Sequence, residues 1–494
     1  MWIPREMTNA QLCATVTADT TAELRVRRDA AVDADLVELR LDSVRDLDVE
    51  GALADRRTPV VVTCRPTWEG GGFVGSEEER RRILTRALAL GAEWVDLEWS
   101  GDFGPLIAER SGRNIVLSTH DFDETPADLE DRCQAMRATG AAMVKLAVLS
   151  RSGRDVVRLL ELGRAQHGAP SVLVGMGPVG VPTRLLPAQF GSRWTYAGDG
   201  VAPGQVSVAD LVHRYRFRRT SSSATVYGVA GKPIGHSLSP HMHNAGLDAA
   251  GLDAVYVPFE ATDADDLMAL ITALNVAGLS VTAPFKEQLL PHVAQLDDIT
   301  RQVGAVNTLR RDADGWSGRN TDVPGFLAPL AADGGVAGLR ATVLGAGGSA
   351  RAVAVGLATQ GAEVTVSARR GERAAAVAEL VKGQVGVFPP PPGSWDLLVN
   401  TTPTGTAPRV SDSPVPAEAL RGGRTVYDLV YNPGRTRLLQ DASGAGCHTI
   451  GGLDMLVAQA VRQFEWWCGS RPSSELFKTA ALAALGAEVE EQGA

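Results

Sequence analysis

The sequence predicts an α/β protein: an N-terminal (β/α)8 TIM barrel followed by a two-domain α/β half with a Rossmann fold. Two observations carry this. Eight short apolar runs alternate with amphipathic stretches before residue 218. Beyond residue 226, a strand, a glycine-rich turn and a helix follow one another among further strand-like runs. A chain of 494 residues is also too long for a single core. The expected organisation is a barrel over 11–218 and a linker over 219–225. A first domain follows over 226–325, completed by a C-terminal helix over 451–486, with a nucleotide domain over 338–450.

Strands are expected at Leu12–Thr17, Leu36–Leu41, Val60–Cys64, Trp94–Glu98, Ile115–Thr119, Met143–Val148, Val172–Gly175 and Trp194–Ala197. Helical spacing of Leu, Ile, Val and Ala marks Glu77–Leu90, Asp128–Thr139 and Arg154–Gln166 between them. In such a barrel the chemistry sits at the C-terminal ends of the strands.

Composition narrows the function. Apolar residues make up 44% and charged residues 21%, ordinary for a globular protein. The net charge of −10, with no sizeable basic block, argues against nucleic acid as a main partner. Five scattered cysteines with no CxxC pair read as reduced thiols of a cytoplasmic protein, and no apolar window is long enough for a membrane span. Met1–Asn9 has no signal-peptide character. Nothing in the pattern fixes an oligomeric state.

The stretch Ala141–Val148 holds one lysine, Lys145, among seven apolar residues. Desolvation favours a neutral amine, which is a nucleophile towards carbonyls. A strand-end lysine that snorkels to water is the structural alternative. Seven further polar residues fall at the same expected rim: Glu38, Arg40, Arg65, Glu69, His120, Arg184 and Gln205. Singly, a Glu–Arg pair is usually a surface ion pair and a lone histidine a satisfied core or loop residue. Together they support one chemistry. Lys145 forms a Schiff base with a ketone, and His120 moves the proton of the acidified C–H. Glu69 orients the ring, Arg184 holds a carboxylate, and Glu38, Arg40 and Gln205 take hydroxyls. That describes a class I aldolase or Schiff-base dehydratase acting on a polyhydroxylated keto acid.

The segments Glu38-Leu39-Arg40-Leu41-Asp42, Ser118-Thr119-His120-Asp121-Phe122, Lys145-Leu146-Ala147, Phe190-Gly191-Ser192 and Ala202-Pro203-Gly204-Gln205 resemble, in order, the type I 3-dehydroquinate dehydratase family. The resemblance implies Lys145 as the Schiff-base lysine, His120 as general acid/base and Glu69 as its support. It also implies carboxylate binding by Arg184 and a pocket lined by Glu38, Arg40, Arg65 and Gln205. Val201 departs from the family's serine.

In the second half, Val229–Pro240 reads as a strand and a Gly/Pro loop ending in Ser237 and Ser239 before a helix, an arrangement suited to a carboxylate. His236, His241 and His243 suggest a metal, but no acidic ligand cluster accompanies them, so none is expected. Lys286 follows a strand at Ser280–Thr282, and Gly304–Thr308 and Gly318–Asp322 supply Asn and Asp in expected loops. Ala341–Leu344 reads as a strand, Gly345-Ala346-Gly347-Gly348-Ser349-Ala350 as a turn and Arg351–Thr359 as a helix. This is the G-x-G-x-x-A dinucleotide arrangement. The strand Glu363–Ser367 ends near Arg369, Arg370 and Arg373 rather than an acid, which favours the 2′-phosphate of NADP. Further strands are expected at Leu397–Thr402 and Thr425–Tyr431, and a final helix at Met455–Trp467.

This half resembles the shikimate dehydrogenase family over about residues 226–486. The resemblance implies substrate binding by Ser237, Ser239, Thr282, Asn307 and Gln459, and a catalytic pair of Lys286 and Asp322. It places Tyr431 and Met455 near the nicotinamide. Ser280, Val323-Pro324, Ala368 and Asp454 depart from the family pattern. The whole is similar to a fusion known in plants, without a transit peptide. The expected function is dehydration of 3-dehydroquinate followed by NADPH-dependent reduction of 3-dehydroshikimate to shikimate, with these small molecules as substrates and neither nucleic acid nor membrane as a partner. A quinate dehydrogenase in the second half, or a metabolite-sensing regulator, are the alternatives.

Overall fold

The computed structural model describes residues 10–166, 168–198, 200 and 203–492, with side chains through residue 486. Met1–Asn9, Val201 and Ala202 lie outside the described residues. The chain divides into two compact units. One runs to Val226 and includes Asp253–Val276; the other comprises Tyr227–Leu252 and the chain from Ala277 onward.

The first unit holds eight strands: β1 (Gln11–Val16), β2 (Leu36–Arg40), β3 (Val60–Thr63), β4 (Trp94–Glu98), β5 (Ile115–Asp121), β6 (Met143–Leu149), β7 (Ser171–Met176) and β8 (Trp194–Ala197). Their order is β7-β6-β5-β4-β3-β2-β1-β8, with all ladders parallel. A bridge between Ser171 and Ser192 brings β7 back towards the start of β8. Helices cover the outside: α1 (Thr21–Ala30), α2 (Val49–Leu53), α3 (Glu77–Ala89), α4 (Gly104–Glu109), α5 (Leu129–Ala138), α6 (Gly153–Ala165) and α7 (Gly177–Leu185). With both faces covered, strands such as β3 and β7 are buried along their whole length, so they read as continuous apolar runs. Ser76 caps α3 by accepting from the Glu79 N–H, and Glu77–Glu79 fill its first turn, where acids favour a helix start. His120, expected just past its strand, lies within β5.

Next come β9 (Thr225–Ala230), α8 (Ser239–Ala249), β10 (Ala254–Phe259) and α9 (Ala264–Ala273). The sequence does not foretell that β10 and α9 group with the barrel. α9 packs on α6, and Asp266, fully buried, is the joint. Its Oδ2 accepts the N–H of Gly153 at 2.8 Å and of Thr262 at 3.0 Å, while Oδ1 accepts the Arg154 N–H at 3.0 Å. Nor is 219–225 a free tether, because Asp253 accepts both the N–H and the hydroxyl of Ser221. Asp266→Ala removes the acceptor of three N–H groups, the one on Gly153 buried. The expected loss is about 2 kcal/mol or more, read as a lower urea midpoint for loss of the barrel's activity. An unchanged midpoint would show that the joint contributes nothing.

In the second unit follow β11 (Gly278–Val281), α10 (Phe285–Gln288), β12 (Gln295–Leu296), α11 (Asp298–Val303), β13 (Thr308–Asp312), β14 (Gly315–Arg319) and α12 (Asp322–Ala332). The strands β9-β11-β13-β14-β12 are consecutive neighbours in a mixed sheet. Then come β15 (Arg340–Leu344), α13 (Gly348–Thr359), β16 (Glu363–Ser367), α14 (Gly371–Leu380), β17 (Gln384–Val385), β18 (Leu397–Asn400), β19 (Thr425–Asp428), α15 (Arg437–Gly444) and β20 (His448–Ile450). They form a parallel sheet of order β17-β16-β15-β18-β19-β20, a Rossmann arrangement. Two helices follow, α16 (Gly452–Cys468) and α17 (Ser474–Gln492), where the sequence pattern predicts one.

Three local expectations are corrected. The glycine turn is only Gly345–Gly347, because first-turn N–H groups need no intrahelical acceptor and Gly348 and Ser349 can already be helical. Gly318 and Arg319 belong to β14, and Asp322 opens α12 instead of lying in a loop. β19 stops at Asp428, whose carboxylate accepts from Asn400, Thr436 and the Val430 N–H and so turns the chain out of the ladder.

Candidate active sites

All eight rim residues of the barrel line one pocket: Glu38, Arg40, Arg65, Glu69, His120, Lys145, Arg184 and Gln205. Thr15 and Tyr196 join them. Lys145, in β6, is buried, but its surroundings correct the apolar reading. Nζ lies 3.1 Å from Asp96 Oδ2, 4.0 Å from Glu38 Oε1 and 4.3 Å from the Tyr196 ring centre. The neighbours along β6 are apolar; the charges arrive across the barrel.

Glu69 Oε1 accepts the His120 backbone N–H at 2.8 Å and lies 3.1 Å from Nδ1, so the ring is held from one side. Burial pushes the Glu69 carboxyl up to about 7. Burial, with Arg65 and Lys145 near, holds the His120 imidazole well below its usual range, so near neutrality it is an uncharged base. Glu38 is fixed by Thr63 at 2.8 Å and Thr15 at 2.9 Å.

The three pocket arginines differ. Arg40 chelates Asp42 at 2.9 and 2.8 Å. Arg65 bonds Asp96 at 3.0 Å and Glu98 at 2.8 Å; burial opposes its charge, but the two acids outweigh it and hold the guanidinium above its usual range. Arg184, buried on α7, has no carboxylate within ion-pair distance among the described residues. It reaches only the carbonyls of Tyr196 and Pro203, and burial brings it down to about 10. A buried cation without a counter-ion, lining the same pocket as Lys145, has the chemistry to pair with an anion.

The second pocket lies within the other unit. Its lining includes Ser237, Ser239, Thr282, Lys286, Asn307, Asp322, Ser349, Tyr431, Met455 and Gln459. Lys286 Nζ donates to Asp322 Oδ2 at 2.6 Å, and Asn307 Nδ2 donates to Asp322 Oδ1 at 2.8 Å. Gln459 Oε1 lies 3.5 Å from Asn307 Nδ2. Ser280 Oγ donates to Gln463 Oε1 at 2.7 Å, and Gln463 in turn bonds Thr308. Asp454 is exposed and paired with Lys478 at 2.8 Å. Pro324 sits in the first turn of α12, where proline is tolerated.

The glycine turn fits a dinucleotide. Gly345 has φ +115°, and a Cβ there would stand 2.5 Å from Thr401 Oγ1. A Cβ on Gly347 would meet nothing within 4 Å, which is the open space a pyrophosphate needs at the N-terminus of α13. A Cβ on Gly348, the first residue of α13 ahead of Ser349 and Ala350, would stand 3.2 Å from Lys286 Cδ, so the start of the helix lies against the Lys286–Asp322 pair. Arg369, Arg370 and Arg373 are exposed just beyond β16, the strand beside β15.

Asp96, Glu98, Ser118 and Tyr196 were not singled out from the sequence. Asp96 and Glu98 alternate with apolar residues in Trp94–Glu98, so both face the barrel interior, and that alternation was the available signal.

Fold and sites define the class: a barrel lyase and a nucleotide-dependent oxidoreductase in one chain. Residues 12–222 match the family described as type I 3-dehydroquinase. Residues 229–309 match the shikimate dehydrogenase substrate binding domain, and 452–482 the shikimate 5'-dehydrogenase C-terminal domain. The chain is 33% identical, over 94% of its length and 83% of the relative, to a chloroplastic bifunctional 3-dehydroquinate dehydratase/shikimate dehydrogenase of Arabidopsis thaliana. It is 40% identical, over 55% of its length and 99% of the relative, to a shikimate dehydrogenase (NADP(+)) of Thermosynechococcus vestitus. A crystal structure of a shikimate dehydrogenase in complex with NADP+ is similar at TM-score 0.52 and 33% identity, over 54% of this chain and 97% of that one. The chain belongs to the bifunctional 3-dehydroquinate dehydratase/shikimate dehydrogenase family.

Proposed function

We propose that the barrel dehydrates 3-dehydroquinate to 3-dehydroshikimate and that the second half reduces this product to shikimate with NADPH. The observation that carries the reading is Arg184, a buried guanidinium with no carboxylate partner in the pocket of Lys145 and His120.

Lys145 attacks the substrate ketone, and the carbonyl oxygen leaves as water. The nitrogen becomes an iminium, with Asp96, 3.1 Å from Nζ, as counter-ion. The adjacent C–H is acidified, and His120 takes its proton. The pair of electrons left behind forms the C–C double bond as the β-hydroxyl departs, protonated by His120. Water then hydrolyses the imine, so one water is lost overall. Glu69 orients His120, Arg184 binds the carboxylate, and Glu38, Arg40, Arg65 and Gln205 surround the hydroxyls.

In the second pocket Ser237, Ser239, Thr282, Asn307 and Gln459 bind the substrate. NADPH, when bound, supplies the hydride to the ketone carbon. Lys286, held by Asp322, gives the proton to the oxygen. Gly345–Gly347 with the start of α13 receive the pyrophosphate, Arg369, Arg370 and Arg373 the 2′-phosphate, and Tyr431 and Met455 flank the nicotinamide. Among the described residues no helix is long and apolar enough to cross a membrane; the five free cysteines fit a cytoplasmic location.

Borohydride added with 3-dehydroquinate is expected to leave an adduct on Lys145 by peptide mass mapping. In parallel, NADP+ reduction is expected with shikimate in preference to quinate. An adduct elsewhere, or none, defeats the dehydratase reading; a preference for quinate or no turnover defeats the dehydrogenase reading.

A further inference from the structure

Arg80 lies on α3, on the outside of the barrel, yet it is fully buried. Its guanidinium bonds Glu98 Oε2, the Glu77 carboxylate at 2.6 Å and the Cys64 carbonyl at 3.4 Å, and lies 5.0 Å from the Phe103 ring centre. Burying such a cation is costly before its partners are counted, and an apolar side chain fills a helix–barrel gap without that cost. The partners show what the charge is for.

Two lines run from Arg80 into the pocket. Along the first, Arg80 holds Glu98, Glu98 accepts from Arg65 Nη1 at 2.8 Å, Arg65 Nη2 is 3.0 Å from Asp96, and Asp96 is 3.1 Å from Lys145 Nζ. The charges alternate through the barrel wall, from Lys145 to the half-exposed Glu77. Without Arg80, Glu98 is left with Arg65 as its single guanidinium and competes with Asp96 for it. Along the second line, Glu77 accepts from Trp68 Nε1 at 3.4 Å, and the Arg80 guanidinium is 5.9 Å from the Trp68 ring. Trp68, half-exposed, shares the single turn Thr67–Glu69 with Glu69, which holds His120, so what tethers the Trp68 ring acts on the same short backbone.

We propose that Arg80 is a positioning residue for the dehydratase reaction, setting Asp96 against Lys145 through Glu98 and Arg65, and Glu69 against His120 through Glu77 and Trp68. Arg80 is not itself among the residues that line the pocket. The inference rests on the dehydratase reading above.

The test uses the full chain with Arg80→Met, Arg80→Lys, Glu98→Gln and Trp68→Phe. Arg80→Met is expected to lower dehydratase kcat by on the order of 10- to 100-fold, the scale of a misplaced catalytic group, with KM within about threefold. Arg80→Lys, which keeps the charge towards Glu98, recovers most of the loss. Glu98→Gln slows borohydride trapping at Lys145, whereas Trp68→Phe leaves trapping at the wild-type rate and slows turnover, because it acts on the histidine line alone. Wild-type kcat in Arg80→Met, or wild-type trapping and turnover in both Glu98→Gln and Trp68→Phe, overturns the proposal and leaves Arg80 a structural residue. If Arg80→Met does not fold, the latter two variants decide. No trapping in the wild type itself would instead defeat the dehydratase reading.

Discussion

Lys145→Met is expected to lower dehydratase kcat by on the order of 10⁴-fold or more, as removal of a covalent nucleophile does, and to leave shikimate oxidation within about twofold of wild type. A thioether cannot form an imine, so the C–H beside the ketone keeps its ordinary acidity and His120 faces a proton it cannot remove at a useful rate. The loss is chemical, not a failure of binding. Arg184, Arg40 and Gln205 still line the pocket, so the variant should retain affinity for 3-dehydroquinate by calorimetry. Lys286, Asp322 and Asn307 all belong to the other compact unit, which is why the second activity is the internal control. Lys145→Met also leaves Asp96 and Glu38 without their lysine, so a thermal scan must show a folded barrel before the rate is read. A residual rate within about tenfold of wild type would sink the imine role; loss of both activities would point to unfolding.

How far the sequence could carry this depended on whether a partner was local. The second pocket was legible because short motifs bring their own geometry: Ser237 and Ser239 precede a helix, Lys286 follows β11, and Gly345–Gly347 joins β15 to α13. The eight barrel rim residues were legible for another reason, since the parallel barrel puts every strand's C-terminal end at one rim. What stayed hidden were contacts across the barrel. Lys145 looked solitary because its neighbours along β6 are apolar, whereas Asp96 and Glu38 reach it from β4 and β2. Arg80 carries no local sign of burial, since Arg80-Arg81-Arg82 follow three glutamates on a helix; its partner Glu98 comes from β4. The grouping of β10 and α9 with the barrel is of the same kind, resting on Asp266 reaching the start of α6 more than a hundred residues earlier.

Glu69→Gln is expected to flatten the dehydratase pH profile and to lower its plateau by on the order of 10- to 100-fold. Burial pushes the Glu69 carboxyl up to about 7, while His120 is held well below its usual range. The wild-type kcat is therefore expected to rise with pH through about 7 as Glu69 ionises. Once ionised, its Oε1 is an acceptor only, so Nδ1 of His120 must carry the proton and Nε2 is left free as the base. The amide that replaces the carboxyl keeps the shape but cannot ionise, so the limb disappears. Stability moves the other way across the same window. The unfolded carboxyl ionises near about 4.3 and the folded one near 7, so between these values the folded state holds the extra proton. Stability is then highest at the acid end and falls as pH rises from about 4.3 to about 7. Glu69→Gln removes that decline along with the kinetic limb. Measuring kcat and the urea midpoint of both proteins from pH about 4.5 to about 8.5 tests the pair of effects together. A limb that survives in Glu69→Gln, or a midpoint that declines equally in both proteins, would show that another group titrates there.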